Sequence, residues 1–233
     1  GSNITNITLV LGVAALIAPL NVHSRIIKKE LPILLLATFT VVALLSDMVL
    51  DRIDGFILFS LLCLLMWWIT WQGMHEPPGD ALTDELIEEL PAEMSTSHAI
   101  FWLMAGLVLL TISSKILVWG AVNVATELGV SELIIGLTII AIGTSLPELA
   151  ASISGALKNE HDIAIGNVVG SNLFNTLGVM AIPGLIKPSP LAEGIFERDI
   201  PIVFIITIGL FIMAYGFRGQ GRINRLEGSI LVI

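Results

Sequence analysis

Charged residues are scarce in this chain, and cysteine is almost absent. Only 13% of its 233 residues are Asp, Glu, Lys or Arg, whereas 55% are hydrophobic. A soluble domain of this length could not bury that much apolar surface, so the composition indicates a polytopic α-helical membrane protein. The single cysteine, Cys63, excludes an intrachain disulfide. The net charge of −9 comes mostly from one acidic segment, and nothing in the chain resembles a nucleic-acid-binding patch.

Seven apolar segments are candidates for membrane-spanning helices, each of which needs about 20 residues. They cover residues 4–20, 31–50, 55–72, 99–119, 131–156, 163–186 and 200–216. An eighth apolar run begins near Leu226 and has too few residues before Ile233 to cross a bilayer. Between the third and fourth segments, residues 73–98 carry seven acidic side chains and no Lys or Arg. We predict that residues 73–98 form a solvated linker between two halves.

Basic residues divide unevenly between the two sides that these spans define. One side holds four: Arg52, Lys115, Lys187 and Arg198. The other side holds seven: Arg25, Lys28, Lys29, Lys158, Arg218, Arg222 and Arg225. Because the side richer in Lys and Arg is usually cytoplasmic, we predict that this second side and the acidic linker face the cytoplasm.

The chain also contains an internal repeat. Residues 1–6 read G-S-N-I-T-N, and residues 170–175 read G-S-N-L-F-N, at an offset of 169. At the same offset residues 30–32 match residues 199–201, and after a four-residue insertion residues 52–55 match residues 225–228. Pairing over such a length predicts two structurally equivalent halves.

The second copy has two spans before its Gly-Ser-Asn motif, whereas the first copy has none within this sequence. By symmetry, about 70 or more residues would precede Gly1, including a counterpart of residues 131–156. Each complete repeat would then have five spans, and an odd number inserts the two copies in opposite orientations, as in many secondary transporters. The alternative is that Gly1 and Ser2 remain from cloning and the chain is intact. The match of these two residues to the repeat favours truncation.

This repeat defines the predicted domains. Residues 1–72 form the remainder of the first repeat with three spans, and residues 73–98 form the acidic linker. Residues 99–233 form the second repeat with four spans and part of a fifth.

The segment 131–156 contains a charged residue at membrane depth. Glu148 is the only charged residue between Glu132 and Lys158, and it follows Gly-Thr-Ser-Leu-Pro. A lone intramembrane carboxylate is costly and usually functional. Pro147 cannot donate a backbone hydrogen bond, so we predict a broken helix with a free carbonyl between residues 142 and 144. Thr144 and Glu148 are four residues apart and should share a helix face.

A second polar face is expected on the following span. Asn167, Ser171 and Asn175 repeat at intervals of four residues, with no charged residue between residues 163 and 186. Carboxylate, hydroxyl, amide and freed carbonyl oxygens are the ligands of hard cations such as Ca²⁺. The lack of cysteine and scarcity of histidine argue against Zn²⁺ or copper. Helix packing by Ser and Asn is the alternative for Asn167 or Ser171 taken singly.

Two motifs together resemble a known family. Residues 136–149, G-L-T-I-I-A-I-G-T-S-L-P-E-L, and 166–175, G-N-V-V-G-S-N-L-F-N, resemble the second α-repeat of the cation/calcium exchanger superfamily, especially bacterial sodium/calcium exchanger-like proteins. Residues 1–20 resemble the second half of the first α-repeat, so the resemblance covers nearly the whole chain. It implies an all-α polytopic membrane protein with the inverted-repeat antiporter fold. Ten spans are expected in the full protein, with seven to eight present here and four central cation sites.

The resemblance also implies roles for individual residues. Glu148 would be the principal calcium-binding carboxylate and would also bind Na⁺. Thr144, Ser145 and Ser171 would supply hydroxyl oxygens, and Ala141 a backbone carbonyl.

Other equivalents come from the first repeat. Asn6 and Asn175 occupy the equivalent central positions of the two repeats, and Ser2 is the counterpart of Ser171. Potassium-dependent relatives tend to have Asp in place of Asn175, which argues against K⁺ dependence. The first-repeat Gly-Thr-Ser-x-Pro-Glu motif is absent from these residues, so the chain is expected to hold half of the site.

The resulting functional hypothesis is antiport of Ca²⁺ against Na⁺ by alternating access in the bacterial cytoplasmic membrane. The expected partners are Ca²⁺, Na⁺ and the lipid bilayer, with no cofactor besides the transported ions and no predictable protein partner. Exchange of the cation for protons at Glu148 is the main alternative. An intramembrane hydrolase using Ser145 or Glu148 is disfavoured, because no His or Lys base lies within a span near Ser145. A non-transporting scaffold remains the last alternative.

Overall fold

The computed structural model describes residues 1–23, 26–75, 95–191, 194–215 and 221–232. The described residues form nine helices: α1 (Ser2–Ile17), α2 (Ile26–Asp47), α3 (Arg52–His75), α4 (Thr96–Glu127), α5 (residues 132–144), α6 (Leu146–Leu157), α7 (His161–Ile186), α8 (residues 195–214) and α9 (Arg225–Val232). All seven predicted spans coincide with helices, and the eighth apolar run coincides with α9. The polytopic helical architecture is therefore confirmed.

The helices differ in their capacity to cross a membrane. Within the described residues, α2, α3, α4 and α7 are long and apolar enough to do so, and α5 with α6 forms a fifth if the bent pair is one span. Helix α1 is apolar but shorter. At the edges of the predicted linker 73–98, α3 continues to His75 and α4 begins at Thr96. The rest of the linker, residues 76–94, lies outside the described residues.

The internal repeat is visible in the backbone as two pairs of π-helical segments. Asn6–Val10 in α1 and Asn175–Val179 in α7 are both π-helical. So are Ile26–Glu30 in α2 and Ile195–Asp199 in α8. Both pairs are separated by the sequence offset of 169. A π segment is rare and changes the direction of the side chains that follow it, so this agreement confirms that the two copies fold alike.

Four short strands, which the sequence patterns did not predict, join the two repeats. They are β1 (Leu20–Val22), β2 (Val49–Leu50), β3 (Ser189–Pro190) and β4 (Gly221–Ile223). Strand β1 pairs antiparallel with β4, and β2 pairs antiparallel with β3. Each two-stranded ladder therefore takes one strand from each repeat. Strands of two or three residues are too short to show an alternating hydrophobic pattern, which is why the sequence did not reveal them.

The two ladders also show that the repeats are inverted. The offset of 169 relates β1 to β3, and the same offset with the four-residue insertion relates β2 to β4. The operation that superposes one repeat on the other therefore also exchanges the β1–β4 ladder with the β2–β3 ladder. Helix α2 begins just after β1 and ends just before β2, and its 22 residues extend about 33 Å. The ladders thus lie at opposite ends of the bundle. An operation that exchanges them must also exchange the two ends, as in transporters with inverted-topology repeats.

Two equivalent close helix crossings hold the repeats together. A Cβ added to Gly12 in α1 would lie 3.0 Å from the Gly228 carbonyl of α9. At the equivalent crossing, a Cβ added to Gly55 in α3 would lie 2.8 Å from the Ala181 carbonyl of α7. Glycine permits the backbones to approach, as is typical of helix packing in membranes. The buried core lies between α1, α2 and α7 and includes Ile7, Leu11, Leu34, Ile165 and Val168.

Candidate functional site

The predicted helix break is present and lies at Ser145. Helix α5 ends at Thr144, α6 begins at Leu146, and the two axes differ by 47°. The carbonyl that Pro147 leaves without its helical donor is that of Gly143, and Ser114 Oγ of α4 donates to this carbonyl at 2.5 Å. The break is therefore where Pro147 predicted it, but the Gly143 carbonyl is not free, because Ser114 of α4 replaces the missing donor.

Helix α4 approaches the break very closely at Gly143. A Cβ placed on this residue would clash with Val118 Cγ2 of α4. Glycine is thus required by the close approach of the two helices, in addition to its role beside the break. Most other residues of α4 are exposed. The contacts of Ser114 and Val118 with Gly143 therefore fix the position of α4 relative to the break.

Glu148 lies in the first turn of α6, where the positive end of the helix dipole stabilises a carboxylate. Its side chain is half-buried. The Oε1 atom accepts from Ser171 Oγ of α7 at 3.5 Å, whereas Oε2 is buried without a hydrogen-bond partner among the described residues. Within those residues no group of three or more His, Cys, Asp or Glu side chains could hold a metal. Within the described residues, Glu148 therefore belongs to no such group.

A second contact brings the two repeats together on the other side of the break. Ser2 Oγ of α1 lies 2.9 Å from Thr144 Oγ1, and Thr144 Oγ1 donates to the Ala141 carbonyl at 3.1 Å. Thr144 and Glu148 do not share a simple helix face as expected, because the break at Ser145 places them on different helices. Ser145 itself is 2% exposed, and its Oγ has no partner among the described residues.

The polar face predicted on α7 is directed partly toward Glu148. Asn167 Nδ2 donates to the backbone carbonyl of Glu148 and to Ser152 Oγ, both at 3.0 Å. Ser171 is the next residue on this face and contacts the carboxylate. The third residue, Asn175, begins the π segment and lines a cavity of about 480 Å³ with Ser2. The structure therefore places Asn167 and Ser171 at Glu148, and Asn175 beside the end of α1.

A carboxamide network, which the sequence did not reveal, joins the two Gly-Ser-Asn motifs. Asn6 Nδ2 donates to Asn172 Oδ1 at 3.0 Å, and Asn172 Nδ2 donates to the Asn3 carbonyl at 3.3 Å. Asn3 Nδ2 in turn donates to Thr176 Oγ1 at 2.8 Å and reaches the Asn172 carbonyl at 3.5 Å. Asn3 and Asn172 are repeat counterparts, so their reciprocal bonds lie on the pseudo-two-fold axis. The repeated Gly-Ser-Asn motif was the one sequence signal that could have indicated this network.

Several oxygens around the break are therefore unsatisfied. Within the described part of the chain, four buried oxygens of these elements have no hydrogen-bond partner: Asn3 Oδ1, Asn6 Oδ1, Ser145 Oγ and Glu148 Oε2. Buried polar atoms are nearly always paired, so each such atom requires an explanation. One carboxylate with hydroxyl and amide oxygens is the donor set that suits a hard cation.

Known proteins resemble this chain along its full length. The family model described as sodium/calcium exchanger protein matches residues 1–71 and 98–233. The putative antiporter CaxA of Alkalimonas amylolytica is 46% identical over 239 aligned residues, which cover 100% of this chain and 73% of CaxA. The inner membrane protein YrbG of Escherichia coli (strain K12) is 40% identical over 210 residues, which cover 89% of this chain and 65% of YrbG.

A solved structure is similar in fold as well. The sodium-calcium exchanger NCX_Mj superposes with a TM-score of 0.77 at 29% identity, and the match covers 100% of this chain and 71% of NCX_Mj. The relatives are thus longer than the present chain. Matching motifs, helix order and the inverted repeat lead to one conclusion: this chain belongs to the sodium/calcium exchanger protein family.

Proposed function

We propose that the protein exchanges Ca²⁺ for Na⁺ across the bacterial cytoplasmic membrane by alternating access. The observation that carries this proposal is the buried Oε2 of Glu148, which has no hydrogen-bond partner among the described residues. A buried carboxylate needs a cation, a proton or a basic partner. The family consists of transporters, which removes the hydrolase alternative, and the name of YrbG supports an inner-membrane location.

The surroundings of Glu148 explain how one site could serve both ions. Ser145 Oγ and Asn6 Oδ1 are further buried oxygens without partners in the described residues. Ca²⁺ accepts six to eight oxygen ligands in flexible geometry, and Na⁺ uses the same kind of oxygen. Two ions that need the same ligands cannot occupy them together, so the departure of one permits the other to bind. This competition couples the two fluxes without a covalent step.

Alternating access follows from the inverted repeat. The two halves are related by an operation that exchanges the two ends of the bundle, so either half can open the site to its own side. A bound cation neutralises Glu148 and lowers the cost of moving α5 and α6 past apolar neighbours. An empty, ionised carboxylate would oppose the same movement. NCX_Mj has been studied in crystals soaked with Na⁺ and Sr²⁺, which supports binding of both mono- and divalent cations in the family.

The test is calcium uptake into proteoliposomes loaded with Na⁺. Glu148→Gln keeps the size of the side chain and removes its charge, so uptake should fall to background while the protein remains folded. Glu127→Gln is the matched control, because Glu127 is exposed at the end of α4 and should tolerate the change. Normal sodium-driven exchange in Glu148→Gln would refute the proposal. Uptake driven by a pH gradient and indifferent to Na⁺ would instead identify a cation/proton exchanger.

A further inference from the structure

We propose that Asn172 is a positioning residue, which holds the carboxamide of Asn6 so that its oxygen faces the cation. The inference rests on the proposed cation transport and adds a residue that acts through Asn6 without touching the ion. Orientation is decisive for an amide ligand, because Oδ1 carries lone pairs that bind a cation whereas Nδ2 carries only donors.

The surroundings of Asn6 already distinguish the two ends of its carboxamide. Asn6 lies four residues after Ser2 on α1, and its side chain is 1% exposed. Its Nδ2 donates to Asn172 Oδ1 at 3.0 Å, while its Oδ1 is buried and unpaired among the described residues. If the carboxamide turned over, Nδ2 would face the ion and two acceptor oxygens would meet at Asn172. The bond to Asn172 therefore selects the orientation in which Asn6 is a ligand.

Asn172 can perform this task because it is fixed at both ends. Its Oδ1 accepts from Asn6, and its Nδ2 donates to the Asn3 backbone carbonyl at 3.3 Å. A backbone carbonyl cannot donate, so Asn172 cannot reverse its own carboxamide without losing both bonds. Asn172 is also 1% exposed, and water is excluded as a substitute partner.

The other repeat offers an internal contrast. Asn175 and Asn3 are the counterparts of Asn6 and Asn172, yet no hydrogen bond joins their side chains within the described structure. Asn3 Nδ2 donates instead to Thr176 Oγ1, and the counterpart of Thr176 is Ile7, which has no hydroxyl. The bond between Asn6 and Asn172 is therefore specific to one repeat. It fixes the carboxamide of Asn6, whereas no such bond fixes the carboxamide of Asn175 within the described structure.

The experiment measures thermal unfolding of the purified protein at increasing Ca²⁺. Asn172→Leu removes the acceptor for Asn6 and should raise the Ca²⁺ concentration for half-maximal stabilisation about tenfold, the equivalent of one hydrogen bond. Asn172→Asp retains an acceptor for Asn6 but loses the donor to the Asn3 carbonyl, so this concentration should rise less than in Asn172→Leu. Thr207→Val is the control: Thr207 is 1% exposed, and among the described residues its hydroxyl bonds only to the Val203 carbonyl of its own helix.

A merely structural Asn172 would give a different result. Asn172→Leu would then lower the unfolding temperature without ions but leave the half-maximal Ca²⁺ concentration unchanged, and this outcome would overturn the inference. If Asn172→Leu does not fold, Asn172→Ala removes the same acceptor with a smaller side chain, and an unchanged half-maximal Ca²⁺ concentration in that variant would overturn the inference equally. In an Asn6→Asp background, whose two equivalent oxygens need no orientation, Asn172→Leu should have little further effect on Ca²⁺ binding. Absence of calcium stabilisation in the unmodified protein would refute the proposed function itself.

Discussion

Asn167 Nδ2 donates to the backbone carbonyl of Glu148 at 3.0 Å, and thereby ties α7 to the first turn of α6. The same amide donates to Ser152 Oγ, and Ser152 Oγ donates to the Ala164 carbonyl at 3.1 Å. The polar spacing along α7 predicts Asn167 as a direct cation ligand. The structure shows its amide hydrogens directed to α6, which favours a role in holding Glu148 in place.

Replacing Asn167 should therefore affect stability as well as transport. Asn167→Leu removes both hydrogen bonds from its Nδ2 and should lower the free energy of unfolding by about 1–3 kcal/mol. Ca²⁺ uptake should also weaken, because the backbone that carries Glu148 loses its support. Thermal unfolding and proteoliposome uptake measure the two effects. Asn21→Ala is the control, since Asn21 is exposed on β1. An unchanged unfolding temperature in Asn167→Leu would contradict the prediction.

Ser145 and Ser114 should respond in opposite ways to the same substitution. Ser145 Oγ is buried without a partner among the described residues, so Ser145→Ala should leave the ion-free stability unchanged or raise it, while Ca²⁺ affinity falls. Ser114 Oγ donates to the Gly143 carbonyl, so Ser114→Ala should destabilise the protein by about 1 kcal/mol. Chemical denaturation without ions and Ca²⁺ titration distinguish the two. Equal losses of ion-free stability would show that Ser145 is not reserved for an ion.

The glycine crossing between α1 and α9 gives a packing prediction. A Cβ on Gly12 would lie 2.6 Å from Val232 Cγ2 and 3.0 Å from the Gly228 carbonyl. Gly12→Ala should therefore lower stability by about 1–3 kcal/mol through overpacking. Gly106→Ala is the matched control, because a Cβ on Gly106 in α4 meets no atom within 4 Å. That control should gain about 0.5–1 kcal/mol from helix propensity. Similar unfolding temperatures for both variants would count against a tight crossing.

The repeat and the broken helix could be predicted because each leaves a direct mark in the sequence. Matching motifs at a constant offset predicted equivalent halves, and Pro147 after Gly143 predicted the break. The shared face of Thr144 and Glu148 was predicted wrongly, because helical spacing does not hold across a break. The role of Asn172 could not be predicted either: it depends on which side chain of the other repeat lies opposite, and spacing within one helix carries no such information.

The short ladders have a consequence for the order of folding during synthesis. Leu20 pairs with Ile223, so β1 must wait for about 200 further residues before its partner leaves the ribosome. At roughly 5–20 residues per second this interval is about 10–40 s. The ladder of β2 and β3, in which Val49 pairs with Pro190, can form earlier because fewer residues separate its two strands. In the newly made first repeat, β1 therefore lacks its partner strand until β4 has been synthesised.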